Sequence, residues 1–354
     1  MLQKLQEIKK TIDPFLLNFL SEEEKRFQNQ ELVNESFSKL KAFAISGKTV
    51  RGGLFLLAVR DFNQENYVKY ENDLLLIAAA LELIHSGILI HDDIIDQDEK
   101  RRGQDSIWHQ HELFGQAQNY KDPKNYGQSL AICLGTLAEY LANLALEKIT
   151  LLPEKVQKNI KQVINQEIIK TYFAEMLDSK ITLRNTLPTI NEVSQMYLFK
   201  TARYTFSLPL QLAAIINNLS DSKIKILIEI SEKLGLIFQI KDDQIGLFAT
   251  EKVSGKSFAS DIREGKKTIF YLTLLANINN EEKILLQKTY GKKDINPEEI
   301  EKIQDLFRLH ALPQINEQIS KLSQESKSLI ENFGSKKTAN LLAEILEFNL
   351  NRNF

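Results

Sequence analysis

The sequence predicts an all-α protein, and three observations carry that prediction. Long segments repeat their apolar residues at the helical period rather than in strand-like alternation. Glycine (14) and proline (7) are scarce for 354 residues, so few turns punctuate the chain. Pro153, Pro188 and Pro297 stand where helices start or the chain reverses. No strand-and-hairpin alternation of convincing length is present.

Taken in order, the chain opens on an amphipathic, acid-containing stretch, MLQKLQEIKKTIDPFLLNFL. It lacks the continuous apolar core of a signal peptide and the Arg/Ser bias of a transit peptide. Residues 72–100 give the strongest helical pattern, with Asn72-Asp73 as its N-cap and apolar residues around nearly the whole circumference. Such a helix belongs in the middle of a core. Further helices are predicted over 128–149, 154–180, 191–217, 221–248, 281–290, 297–309 and 313–350. Two stretches read as irregular: 101–127, with Gly103, Gly115 and Gly127, and 249–268, with Gly255, Gly265 and Lys256, Lys266 and Lys267. Each follows an aspartate pair, as a lid over a ligand site would. No Pro/Ser/Gly-rich linker divides the chain, so one domain over residues 1–354 is expected.

Composition is ordinary for a globular protein, at 43% hydrophobic and 26% charged. A net charge of −2 supplies no global field for nucleic acid or a membrane surface, so any basic site is local. The single cysteine, Cys133, excludes an internal disulfide framework and a cysteine-based zinc cluster, and reads as a small buried hydrophobe. No uncharged apolar run approaches the about 18 residues of a membrane-crossing helix. No transmembrane segment and a cytoplasmic location are therefore expected.

The chemistry is concentrated in two aspartate pairs, Asp92-Asp93 within IHDDIIDQDEKRRG (90–103) and Asp242-Asp243 within FQIKDDQIGLFATEKVSGK (238–256). Each closes a strongly apolar helical run. Asp92 and Asp96 lie at i and i+4 and share a helix face. Carboxylates that close repel unless a cation sits between them. Oxygen donors with room for water and phosphate suit Mg²⁺. Arg101 and Arg102 follow directly, and Lys48 and Arg51 stand upstream. Acid pairs together with bases suit a polyanion that arrives with its own metal. A short echo, ILIHDD against FQIKDD, suggests two helices presenting acids to one cavity.

Alone, DDIIDQDE would read as a solvated helix face, but the apolar run before it and the arginines after it argue otherwise. An EF-hand is excluded by spacing and by the missing central glycine. His85, two turns before Asp92 on roughly the same face, reads as functional and His91 as structural. His109 and His111 have no further ligands nearby and read as loop or surface residues, and Lys266 and Lys267 as solvated.

Over residues 40–270 the chain resembles the trans-isoprenyl diphosphate synthases, also called polyprenyl synthetases. The matching motifs, in order, are SGKTVRGG (46–53), His85, Asp92-Asp93-Ile94-Ile95-Asp96, Arg101-Arg102-Gly103, Lys200-Thr201 within FKTARYTFSLPLQL, and Phe238-Gln239-Ile240-Lys241-Asp242-Asp243. Lys256 and DIREGKKT (261–268) follow. Each motif is weak by itself; their order and spacing are specific.

The resemblance implies a bundle of long helices around a deep apolar cavity, usually as a homodimer. It implies head-to-tail condensation of isopentenyl diphosphate with an allylic diphosphate (C5–C15), releasing pyrophosphate. Mg²⁺ is implied, as three ions with the bound diphosphate, with Mn²⁺ as a substitute. Asp92, Asp96 and Asp242 would bind the metal, supported by Asp93 and Asp243. Arg101, Lys200 and Lys256 would hold the allylic diphosphate, and Lys48, Arg51, His85 and Arg102 the isopentenyl diphosphate. Thr201 and Gln239 would lie near the developing allylic cation. Breaking the allylic C–O bond loads charge onto pyrophosphate, which metal ions and fixed Lys/Arg stabilise. The departing pyrophosphate is a base for the final proton, so no nucleophilic side chain is required.

Three departures stand out. Gly246 replaces the third aspartate common in the second motif, SGKTVRGG lacks the usual proline and second basic residue, and Gly135-Thr136 stands where the family often has Gly-Asp. The last is expected to be structural. In the family, bulky residues four or five positions before the first aspartate stop chain growth early. Here these are Ile88 and Gly87, and Gly87 is expected to leave a gap in the cavity wall, with Ile84 and Leu81 as candidates for the floor. The expected product is C20 or longer. Two other readings were weighed. A class I terpene cyclase needs no isopentenyl diphosphate site, and a non-catalytic partner subunit of a heteromeric synthase generally loses the first acid motif, which is intact here.

Overall fold

The helical periodicity of the sequence is realised from the first turn onward in the computed structural model, which describes residues 1–27, 30–248, 259–292 and 294–352. The chain divides into two compact units, Met1–Val163 with Pro209–Leu219, and Ile164–Leu208 with Ser220–Phe354.

In the first unit, α1 (Leu2–Glu24), α2 (Glu31–Ile45), α3 (Val50–Phe62) and α4 (Gln64–Lys69) precede the long α5 (Glu71–Ile95). A two-residue hairpin, β1 (Lys100–Arg101) with β2 (Gln104–Asp105), leads to α6 (Ile107–Ala117) and α7 (Pro123–Glu147). The hairpin is the one β-sheet among the described residues. As its all-round hydrophobicity requires, α5 runs through the core, with Leu74, Ile77, Leu81 and Leu83 fully buried, and it packs chiefly on α7 and α3. Glycine permits the α5–α7 approach: a Cβ on Gly87 would stand 2.7 Å from the Gly135 carbonyl oxygen, and one on Gly135 2.5 Å from the His91 ring.

Several local expectations are corrected here. Asp73 does not cap α5. It is fully buried and accepts the backbone N–H groups of Thr150, Leu151 and Leu152 at 3.3, 2.7 and 2.8 Å. The region 101–127 is not irregular, because α6 fills its middle. His111 on α6 is buried, whereas Cys133 is exposed on α7. Among the described residues two helices, α5 and α7, are long and apolar enough to cross a membrane by length and composition. The apolar run of α5 is not uncharged, because Glu82 interrupts it. The apolar windows of α5 and α7 are 78% and 44% buried inside the protein, so the hydrophobicity of α5 is mostly that of a core helix.

The second unit holds most of α8 (Glu154–Leu183), then α9 (Ile190–Tyr197), a π-helical stretch (Leu198–Ser207) leading into α10 (Leu208–Ile216), and the long α11 (Asp221–Phe248). After it come α12 (Ser260–Glu264), α13 (Ile269–Asn277), α14 (Asn280–Thr289), α15 (Pro297–His310), α16 (Leu312–Glu331) and α17 (Lys336–Leu350). Capping boxes start α9 (Thr189/Glu192), α14 (Asn279/Glu282) and α15 (Asn296/Glu299). The predicted 313–350 helix is two helices, broken at Gly334, whose φ of 84° ends the right-handed path. The spine of this unit is α11, packed on the π-helical stretch, α16 and α17. Gly235 is required there: a Cβ would fall 2.2 Å from the Ala202 Cα.

Candidate active site

The first acid motif sits where α5 ends. Asp92 is in its last turn, Asp96 is the C-cap, and the Asp96 N–H donates to the Asp92 carbonyl at 2.8 Å. A helix C-terminus already carries partial negative charge, so carboxylates gathered there call for a cation. In this structure Arg101 answers. From the hairpin it bonds the Asp93 carboxylate and lies 3.2 Å from Asp92 Oδ2 and 3.3 Å from Asp98 Oδ2. Asp93 is fully buried, and burial pushes its carboxyl up to about 6 despite Arg101. The Trp108 indole N–H spans the carbonyls of Asp93 and Asp98 at 3.0 and 2.9 Å, fixing the turn after the helix. Asp96 is exposed and Asp92 half-buried.

Beside it lies a basic cluster. The corner between α2 and α3 holds Lys48 and leads into Arg51. Arg102, opposite in direction to Arg101 on the hairpin, donates to the Phe43 carbonyl at 3.3 Å and to Ser46 Oγ at 2.7 Å. Its guanidinium rests on Gly47, where a Cβ would be 2.7 Å away. His85, on α5, is half-buried; desolvation first, then Arg51, Arg102 and Arg101, holds its pKa well below the usual histidine range, so the ring is neutral.

In the second unit, Lys200 and Thr201 both lie in the π-helical stretch, and Lys200 lines a cleft. π-turns inside helices recur at functional sites. Lys200 Nζ lies 2.7 Å from both Glu175 Oε2 and Asp178 Oδ2 of α8. Thr201 donates to Gln239 Oε1 at 2.6 Å, and Gln239 donates to Asp243 Oδ1 at 2.9 Å. The Tyr197 hydroxyl donates to Asp243 Oδ2 and accepts the Ile269 N–H at 3.1 Å. Asp243 is buried, and burial, then Asp261, pushes its carboxyl well above the ordinary range against these hydrogen bonds. Asp242, the neighbouring acid, is half exposed and pairs with Arg352 at 2.9 Å. Asp178, Lys200, Gln239, Asp243 and Lys267 line one cleft with Met196 and Tyr197. Arg203 fixes the stretch from behind, forking onto Glu167 at 2.8 and 2.7 Å and reaching Glu232.

The sequence-predicted residues thus fall into two sets. Asp92, Asp93 and Arg101 come together, as do Arg51, His85 and Arg102, and, in the other unit, Lys200, Thr201, Gln239, Asp242 and Asp243. Lys256 lies outside the described residues. Lys267 is not merely solvated, because it donates to the Ile181 carbonyl at 2.9 Å and to that of Arg184. Gly87 does not open a cavity wall: its missing side chain is space taken by α7, and its pro-Cβ direction meets Gly135 and Glu139. Ile84 and Ile88 are buried. Sequence reasoning missed Glu175 and Asp178, legible as carboxylates one turn apart on α8, and Tyr197, legible as an i−4 neighbour of Thr201. It also missed Glu82, Trp108 and Arg352, which carry no local signal.

The donor set fits Mg²⁺. Among the described residues no three His, Cys, Asp or Glu side chains form a ready-made ligand group. Mg²⁺ binds through one or two carboxylates, waters and substrate phosphates, which the part-exposed Asp92 and Asp96 match in the first unit and Asp242, taken by itself, matches in the second. Buried Asp93, held by Arg101 through Oδ1, and buried Asp243, which accepts from Tyr197 and Gln239, suit a supporting role.

Acids at a helix end, guanidinium groups beside a neutral histidine, a lysine on two carboxylates and a threonine-glutamine-aspartate chain fit an all-α enzyme that handles diphosphates. The chain belongs to the polyprenyl synthetase family, which matches residues 31–307. It is 28% identical over 296 residues to a short chain isoprenyl diphosphate synthase of Methanocaldococcus jannaschii, covering 84% of this chain and 83% of that one. It is 33% identical over 241 residues to a geranylgeranyl diphosphate synthase of Saccharolobus solfataricus, covering 66% of each. The crystal structure of geranylgeranyl pyrophosphate synthase from Corynebacterium glutamicum, complexed with isoprenyl diphosphate and magnesium, superposes with a TM-score of 0.91 at 25% identity, over 99% of both chains. The all-α fold and the isoprenyl diphosphate synthase class read from the sequence both hold.

Proposed function

We propose that the protein condenses isopentenyl diphosphate head-to-tail with a C5–C15 allylic diphosphate, releasing pyrophosphate and forming a trans-polyprenyl diphosphate. The observation that carries this reading is the end of α5, where acids at the negative helix terminus adjoin guanidinium groups and a neutral histidine. Gly246 is the one feature on the side of a partner subunit, and the intact first acid motif outweighs it.

Bound Mg²⁺, read as three ions with the diphosphate and replaceable by Mn²⁺, supplies the charge that draws the leaving pyrophosphate away. Asp92, Asp96 and Asp242 would hold it. Arg101, Lys200 and Lys256 would bind the allylic diphosphate, and release of Arg101 from Asp92 and of Lys200 from Asp178 would accompany binding. Lys48, Arg51 and Arg102 would hold the isopentenyl diphosphate, with neutral His85 accepting or donating a hydrogen bond without adding charge. Thr201 and Gln239, already bonded to each other, present oxygen dipoles to an allylic cation without a nucleophile to trap it.

Similarity to short chain and geranylgeranyl synthases supports a C15–C20 product, so lengths beyond C20 are dropped and C20 is proposed. A homodimer is proposed because Ile132, Tyr140 and Leu144 leave an exposed apolar stripe along α7. A single domain is kept because the family match runs without interruption through residues of both units. The test is to incubate purified protein with Mg²⁺, isopentenyl diphosphate and, separately, C5, C10 and C15 allylic diphosphates, and to size the products. A discrete C20 product is expected. Pyrophosphate release without isopentenyl incorporation would point to a cyclase, and no turnover with any primer to a partner subunit.

A further inference from the structure

The start of α3 is capped from an unexpected direction. Thr49 occupies its N-cap position but does not cap it: Thr49 has a left-handed backbone (φ 51°), and its hydroxyl is engaged by Lys9 at 3.2 Å and Asp13 at 3.4 Å. The first backbone N–H groups of a helix need an outside partner. Gly52 finds one in Glu82 of α5, donating to Oε1 at 2.8 Å. The missing side chain of Gly52 makes this reach possible, because a Cβ would stand 3.0 Å from the Ala78 carbonyl oxygen, one turn before Glu82.

Glu82 is only 4% exposed. A buried carboxylate is costly unless paired, and a threonine or serine at the N-cap would satisfy the helix at far lower cost. Its surroundings explain the choice. Arg51, Arg102 and Lys9 are the cations that act on it, and burial outweighs them to hold its pKa above the ordinary range. His85 lies one turn further along α5. Glu82 therefore stands at the root of the cluster formed by Arg51, His85 and Arg102, below the corner that carries Lys48.

We propose that Glu82 is a positioning residue: by accepting the Gly52 N–H it fixes the α2–α3 corner, so that Lys48 and Arg51 are held ready for a diphosphate. This rests on the isopentenyl diphosphate reading above and names a residue that touches no substrate itself.

The test compares Glu82→Ala with Glu82→Gln in the full chain, by KM for each substrate and by calorimetric binding of isopentenyl diphosphate. Loss of the cap in Glu82→Ala is expected to raise the isopentenyl diphosphate KM and Kd about tenfold. The kcat and the allylic KM are expected to stay within about twofold, which a general loss of structure would not do. Glu82→Gln keeps an acceptor oxygen and is expected to restore binding to within about threefold of wild type. If Glu82→Ala does not fold, Glu82→Asp, whose oxygen is drawn back by one carbon–carbon bond, takes its place. Unchanged isopentenyl binding, equal losses in the Ala (or Asp) and Gln variants, or a loss confined to the allylic substrate would overturn the proposal. Absence of product from the wild type would instead sink the functional reading.

Discussion

Arg352 closes on Asp242 from 110 residues further along the chain, its Nη2 2.9 Å from Oδ1 and its guanidinium 3.6 Å above the Phe238 ring. Asp242 is the acid proposed for the metal from the second motif, so Arg352 competes for a carboxylate that Mg²⁺ would use. A half-exposed ion pair is worth about 0.2–1 kcal/mol, or about 1.4- to 5-fold in competing affinity. Arg352→Ala should therefore lower the Mg²⁺ concentration for half-saturation in the presence of pyrophosphate, by about threefold. Calorimetric titration checks this, and an unchanged or raised requirement would refute it.

Tyr197 supports the same motif from beneath. Its hydroxyl bonds buried Asp243 and takes the Ile269 N–H, joining α9, α11 and α13. Tyr197→Phe leaves two buried polar groups short of a partner, at a cost of about 1–3 kcal/mol. Denaturant unfolding should register that loss; a change below about 0.5 kcal/mol would mean the bond contributes nothing net.

Gly87→Phe tests the corrected reading of that position. With Gly135 oxygen and Glu139 Cγ at 2.7 and 2.8 Å from the first added atom, the ring has no space without parting α5 from α7. Overpacking of this kind costs about 1–3 kcal/mol or more. A lowered thermal midpoint is expected. A folded variant of unchanged stability making a shorter product would restore the view that Gly87 opens onto the growing chain.

His111 predicts a pH dependence of stability. Burial, then Lys39, holds its pKa down at about 4, against an ordinary value of 6.5. On acidification the unfolded chain takes up this proton first. The stabilisation is complete above pH 6.5 and is lost as pH falls from there through about 4. It amounts to about 3 kcal/mol at most. His111→Gln should flatten the fall of the thermal midpoint between pH 7 and 4; an identical slope in the variant would remove His111 from the account.

How far the sequence could be read depended on the kind of signal. The 221–248 helix starts where its periodicity places it and is helical through Phe248, because its apolar face is continuous and its start is marked by Asp221. The break at Gly334 was missed because apolar residues keep the helical period across it, and only the positive φ reveals the turn. Asp73 looked like a cap because caps are local; its real partners, Thr150 to Leu152, are far along the chain. The same distance hid Glu82 and Arg352. The exposed face of α7 hid the surroundings of Cys133, since an apolar stretch does not say what its outer stripe meets. In the site itself, residue identities were legible from motif order. Which acids face solvent, and which are held by Arg101, Tyr197 and Gln239, is set by packing between distant segments that motif order does not show.

The central claim is that the acids ending α5 carry diphosphate chemistry, and turnover of Asp92→Ala at saturating Mg²⁺ tests it most directly. Loss of a metal carboxylate should cost several kcal/mol of transition-state stabilisation, on the order of 10³-fold in kcat/KM, with the unfolding midpoint nearly unchanged. Condensation by a folded Asp92→Ala protein at near wild-type rate would contradict the account.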